Sequence, residues 1–254
     1  MKPIIAIVNR KGGVGKTTTA VNLAATFAAS GRRTLLIDFD PQGNTTTAFG
    51  ISKESNLPTV YDVLTGQASW KEASRAILGS GLLSVIPSTA DLSGAEVELV
   101  TAKSREYRLR DRMKSMEGEF DTILIDCPPS LGLLTVNALA AAQEVLIPLQ
   151  CEYYALEGLS QVLKTMEIIK KNIHRTLEMA GIVLTMQDRH NPNNLAIEEE
   201  VRHHFAKQTF DSIIPRDPCL SMAPSVGRPG VWYHPWSAGA LAYLQLTLEL
   251  QHKD

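Results

Sequence analysis

Residues 9 to 18 read Asn9-Arg10-Lys11-Gly12-Gly13-Val14-Gly15-Lys16-Thr17-Thr18, directly after the apolar run Ile4-Ile5-Ala6-Ile7-Val8. A β-branched run feeding a glycine loop, then an Ala/Leu-rich helical stretch, is the setting a phosphate-binding loop requires. Glycines let backbone N–H groups converge on phosphate oxygens, so Gly12, Gly13, Val14 and Gly15 would cradle an anion, with Thr18 beside them. Lys16 would reach the outer phosphates, Thr17 would offer its hydroxyl to Mg²⁺, and the helix starting there turns its positive end to the anion. The strict spacing G-x-x-x-x-G-K-[ST] fails at one place, because Arg10 stands where the first glycine belongs. A second lysine, Lys11, follows it. In so short a loop that lysine can be aimed away from its own nucleotide.

Working outward, the chain reads as apolar runs alternating with helical patterns. The runs fall at 33–38, 82–86, 122–126, 144–148 and 180–184; the helical patterns fall at 17–30, 91–116, 132–142, 155–173, 195–206 and 238–251. Near-continuous β-branched runs with helices between them predict an α/β fold, doubly wound, its sheet mainly parallel and covered by helices on both faces. Ligands are then expected at the carboxyl ends of the strands. The length of 254 residues suits one generous domain spanning 1–254, with no linker or repeat. No stretch approaches the roughly 18 apolar residues of a membrane span. The first run begins by residue 4, so neither a signal peptide nor a preceding DNA-binding domain is expected. Cys127, Cys151 and Cys219 lie far apart without C-x-x-C spacing, which argues for a reducing cytoplasm and against zinc or an iron–sulfur cluster. A net charge of -2 leaves any nucleic-acid contact to a local patch.

Two acids sit at predicted strand ends. Asp126 closes 122–126 and precedes Cys127-Pro128-Pro129-Ser130; a carboxylate there would hold Mg²⁺ through water. Asp38-Phe39-Asp40-Pro41-Gln42-Gly43-Asn44 ends the second run and opens a polar Gly/Thr-rich loop. Such a loop can respond to a γ-phosphate, with Asp40 orienting the attacking water on the metal side of the site. The same aspartates could instead cap helices or open turns, a common use of Asp-Pro.

Lys11 to Thr18, Asp38 to Asn44, Ile125-Asp126-Cys127-Pro128-Pro129-Ser130 and Ile214-Pro215-Arg216 together resemble the ParA/Soj family of partition ATPases, P-loop proteins of the deviant Walker A class. The likeness runs nearly end to end, through Tyr153-Tyr154-Ala155-Leu156-Glu157-Gly158-Leu159, Leu184-Thr185-Met186, Ala223-Pro224-Ser225 and Gly239-Ala240. It is to the short branch, without an N-terminal helix-turn-helix. The resemblance implies an ATPase using ATP and Mg²⁺, whose ATP state is a face-to-face homodimer with Lys11 reaching the partner's phosphates. Lys16 and Thr17 would serve their own nucleotide, Asp40 the water, Asp126 the second switch, and Pro215, Arg216 and Asp217 the border of the adenine. The dimer would bind duplex DNA without sequence preference, and a ParB-like protein would stimulate slow hydrolysis and release it. The implied setting is cytoplasmic and nucleoid-associated, in chromosome or plasmid partition.

Where the family often carries arginine, this chain has Cys219 and Ala238. Each lost cation weakens a phosphate-dominated contact. The remaining candidates are Lys164, Lys170, Lys171, Arg189, Arg202, Lys207 and Arg228, each of which could equally be an ordinary solvated cation. Arg105, Arg108, Arg110, Arg112 and Lys114 interleave with Glu106 and Asp111 and read as a salt-bridged helix face. Trp232, Tyr233 and Trp236 are expected to bury against the final helix. A membrane-cycling ATPase would need a cationic amphipathic end, whereas Leu246 to Asp254 is short and acidic. No N/T-K-x-D guanine motif, terminal tyrosine cluster or paired cysteines supports a GTPase, tyrosine kinase or iron protein. The alternative is a positioning ATPase for a cargo other than DNA, acting chiefly through protein partners.

Overall fold

The computed structural model describes residues 4–77, 81–152 and 155–252. Tyr153, Tyr154, Lys253 and Asp254 lie outside them. Eight strands form the sheet: β1 Ile4–Ile7, β2 Thr34–Asp38, β3 Arg75–Ala76, β4 Leu83–Ile86, β5 Thr122–Asp126, β6 Glu144–Gln150, β7 Glu178–Gln187 and β8 Thr209–Pro215. Their order is β3-β4-β2-β5-β1-β6-β7-β8, and every neighbouring pair is parallel except β3 with β4. The helices are α1 Lys16–Ala29, α2 Asn44–Ala48, α3 Val60–Thr65, α4 Trp70–Ala73, α5 Leu92–Leu99, α6 Arg108–Met113, α7 Leu133–Ala141, α8 Ala155–Asn172, α9 Pro192–Phe205, α10 Pro218–Met222, α11 Gly230–Tyr233 and α12 Ala238–His252.

Alternation along each strand splits the core into two layers. Ile5, Ile7, Leu36, Leu124, Leu146 and Val183 face α1 and α12, packing with Leu23, Phe27, Tyr243 and Leu246. Ala6, Val8, Leu35, Ile37, Ile125 and Ile147 face the opposite layer, with α3 to α9. Both faces are covered, which is why the strands read as continuous apolar runs. A 14-residue helix such as α1 would be marginal alone, so its stability comes from this packing. Three side-chain bonds also run down the α1–α12 seam: Thr19 with Tyr243 at 3.1 Å, Thr26 with Thr247 at 2.5 Å, and Gln251 with Ser30 at 2.9 Å.

The structure departs from the sequence reading at several places, among them β3 and the short helices α2, α3, α4, α10 and α11, which no run or pattern marks. The pattern at 91–116 is not one helix: α5 stops at Leu99, and Ser104 takes a left-handed φ of 52° before a 3₁₀ turn leads into α6. β8 was not expected, since Asp211-Ser212 interrupts its apolar run; at the sheet edge the Asp211 side chain stays 99% exposed at no cost. Trp236 does not bury against α12 but stands 81% exposed, while Trp232 packs edge-on against Phe49 at 6.2 Å.

Candidate active site

The glycine loop and the two acidic segments leave the carboxyl ends of three adjacent strands, β2, β5 and β1. Register places Asp126 beside both Asp38 and Ile7, so the loop after β1 meets both acids within one strand spacing. Gly15 caps α1 with φ of 88°, a left-handed conformation a Cβ would resist. Asn9 anchors the loop from below, donating Nδ2 to Pro148 O at 2.7 Å and accepting from Lys11 N at 3.0 Å. From β7, Thr185 donates to Val14 O at 2.8 Å.

Lys16 is 7% exposed, and its Nζ donates to Lys11 O at 3.1 Å. Burial lowers its pKa, partly offset by the carboxylates of Asp126 and Asp40. Asp38 is fully buried; desolvation and the nearby Asp126 charge push its pKa up to about 7. Asp126 is pushed up to about 6 by burial, opposed by the hydroxyls of Thr45 and Thr17 and by Lys16. Its Oδ2 accepts from Thr45 at 2.8 Å, whereas Oδ1 is buried with no hydrogen-bond partner. An orphaned, acceptor-only oxygen beside Thr17 and Lys16 is the kind of group a divalent cation satisfies, so these residues fit Mg²⁺. Asp40 is 7% exposed and accepts from Gln42 N at 2.9 Å.

Of these residues Lys16, Thr17, Asp40 and Gln42 line a cleft of about 430 Å³, bounded also by Gly12, Gly13, Gly15, Thr18, Pro224 and Arg228, with Asp38 and Asp126 buried outside its wall. Past Gly15, Thr18 and Met186 it continues into a slot of about 350 Å³ that holds Pro215, Arg216 and Asp217. Both carboxylate oxygens of Asp217 are already taken, accepting from Cys219 N and Gly239 N at 2.8 Å each. This ties the slot to the start of α12. Lys11 is not part of the cleft wall: its Nζ lies 2.5 Å from Glu152, and its side chain is 40% exposed.

The cationic candidates do not gather at one place. Lys164, Lys170 and Lys171 are exposed along α8, and Arg189 and Lys207 are exposed in loops. Arg202 is engaged with Glu198 at 3.1 Å and Asp211 at 4.0 Å, and Arg228 stands on the cleft rim. Within 105–114, Arg105 pairs with Glu106, and Lys114 with Asp111. Thr45 and Thr46 lie in a run that reads as loop and carry no role that the sequence assigns. Asn9 and Met186 stand within the motifs, but neither the loop-anchoring bonds of Asn9 nor the left-handed φ of 51° at Met186 is legible there.

A glycine loop at a strand–helix junction, a buried lysine and paired strand-end aspartates define a P-loop ATPase fold and site. Residues 2–179 match the AAA domain family. The chain is 51% identical over 251 residues to the chromosome partitioning protein ParA of Myxococcus xanthus, covering 99% of this chain and 88% of that one. It is 48% identical over 250 residues to the sporulation initiation inhibitor protein Soj of Bacillus subtilis, covering 98% of each. Among solved structures, cobyrinic acid a,c-diamide synthase of Mycobacterium smegmatis, with bound ADP and magnesium, superposes with a TM-score of 0.87 at 32% identity, covering 99% of this chain and 95% of that one. The chain belongs to the ParA/Soj family of chromosome-partitioning ATPases. Among the described residues no helix is long and apolar enough to cross a membrane.

Proposed function

We propose that this chain is a single-domain, ATP-driven dimerising switch for partition of a chromosome or plasmid, working in the cytoplasm on the nucleoid. The observation that carries this reading is the divergence of two lysines from one loop. Lys16 lies in the cleft, while Lys11 leaves it for Glu152. A lysine directed out of its own cleft would serve a second copy on exchanging Glu152 for that copy's phosphates, making hydrolysis depend on association. Within one subunit the loop N–H groups and Lys16 would bind the phosphates, Pro215, Arg216 and Asp217 would border the base, and Asp40 would orient the attacking water. Thr17 and Asp126 would hold Mg²⁺, with Asp40 close by; bound there, the ion supplies charge neutralisation at the outer phosphates. Sizing chromatography with a slowly hydrolysed ATP analogue tests the reading. Wild type should dimerise, and Lys11→Ala should bind the analogue yet stay monomeric; a mutant that dimerises and hydrolyses normally would defeat it.

Release by a ParB-like partner and nonspecific duplex binding by the ATP dimer complete the proposed cycle, with Lys164, Lys170, Lys171, Arg189 and Lys207 as exposed contacts. A second reading, positioning of a cargo other than DNA, is favoured by Cys219 and Ala238 and by the engagement of Arg202 with two acids. DNA binding measured with ATP and with ADP at low salt separates the two.

A further inference from the structure

Helix α2 hands two consecutive hydroxyls to two different buried carboxylates. Thr46 donates both its backbone N–H, at 2.8 Å, and its Oγ1, at 2.6 Å, to Asp38 Oδ2, and accepts from Ser88 N at 2.9 Å. That set is saturated and holds the start of α2 to β2 and β4. Thr45 differs. Its hydroxyl donates to Asp126 Oδ2 at 2.8 Å, while Oδ1 of the same carboxylate has no hydrogen-bond partner. Thr45, Thr46, Asp38 and Asp126 are all 0% exposed, so these bonds are shielded from bulk water.

We infer that Thr45 is a positioning residue that transmits occupation of the Asp126 carboxylate to helix α2. The inference rests on reading the cleft as an ATP·Mg²⁺ site. A cation satisfying the partnerless oxygen of Asp126 would hold that carboxylate ionised and in place, and a hydroxyl bonded to a fixed, ionised acceptor is held more tightly than one bonded to a neutral group. The other end of α2 is as constrained as its start. Gly50, just beyond it, backs onto Gly227, where an added Cβ would stand only 2.8 Å from Gly50 Cα. Arg228, the next residue, lines the nucleotide cleft. The chain of contact therefore runs from the metal seat through Thr45 and α2 to the far wall of the same cleft.

The test is ATP affinity with and without Mg²⁺ for wild type, Thr45→Val and Thr45→Ser, together with hydrogen exchange of the backbone amides of residues 46–50. Wild type should gain affinity on adding Mg²⁺ and protect those amides in Mg²⁺·ATP. Thr45→Val, close to isosteric but without the hydroxyl, should keep the metal-free affinity, lose about tenfold of the Mg²⁺-dependent gain, and leave the amides exchanging as in the metal-free state. Thr45→Ser should restore both readouts. Thr45→Ala gives the same comparison should the valine not fold. A full Mg²⁺ gain with wild-type protection in Thr45→Val overturns this inference alone. A wild type without any Mg²⁺ gain overturns the reading of the cleft and the inference with it.

Discussion

Lys16 and Asp38 show how much a single position can be asked to do at a buried site. Burial of Lys16 carries a desolvation cost that Asp126 and Asp40 offset only in part. Removing it deletes charge-assisted bonds to phosphate worth about 1.5–3 kcal/mol each. Lys16→Ala should therefore lower ATP affinity at least tenfold in equilibrium binding, while normal affinity would disprove its place at the phosphates. Asp38 carries the opposite bias, because burial lifts its folded-state pKa to about 7, above the ordinary carboxylate value of 3.8. Between those limits the folded chain holds protons that the unfolded chain has lost, so this group's stabilising contribution is full below about pH 4 and disappears as pH rises through 7. Nucleotide-free Asp38→Asn should melt a few degrees above wild type at pH 8 and show no such advantage at pH 4. Thermal denaturation across that range decides it; a constant offset at every pH would assign the difference to packing instead.

At the scale of elements, what could be read from sequence follows burial. β1, β2 and β5 were legible because both faces are covered and their residues, apart from Ala6 and the closing Asp38 and Asp126, are β-branched or Leu. The loop after β1 and the acids after β2 and β5 followed from those ends. β8 was not legible, because an edge strand tolerates Asp211. Nor was α2: Asn44-Thr45-Thr46-Thr47-Ala48 has weak helix propensity, and it is the carboxylates of Asp38 and Asp126 that hold its threonines in a helix. The bond from Thr45 to Asp126 spans 81 positions, a kind of information no local pattern contains. The contact at the end of α2 yields a prediction of its own. Gly227 sits at φ of 64° and faces Gly50, so Gly227→Ala must strain its backbone and push the two segments apart. A loss of about 2 kcal/mol or more is expected, near 4–8 °C for a chain of this size, with weakened ATP binding. Melting with and without nucleotide checks both.

For the whole molecule, the net charge of -2 gives no long-range pull toward DNA, so under the proposed cycle any binding would come from doubling a local face on dimerisation. Cys219 and Ala238 take up to four cations from the dimer relative to the arginines often found there. Each phosphate contact contributes about 0.9 to the logarithmic salt slope. The ATP dimer is expected to bind duplex DNA weakly, with a shallow salt slope, and charge reversal of Lys170 and Lys171 should abolish binding while sparing hydrolysis. An ATP dimer indifferent to DNA even at low salt would leave the protein-cargo reading standing.

The hydroxyl seam between α1 and α12 bears on how the chain is made. Thr26 meets Thr247, 221 positions later, and Thr19 meets Tyr243. During synthesis α1 leaves the ribosome early, and its face carrying Thr19 and Thr26 has no α12 to meet until residues 238–252 follow. The helix that carries the phosphate loop thus waits through most of translation for its cover. A chain halted before residue 238 would present that face to chaperones and proteases instead of persisting as a crippled enzyme.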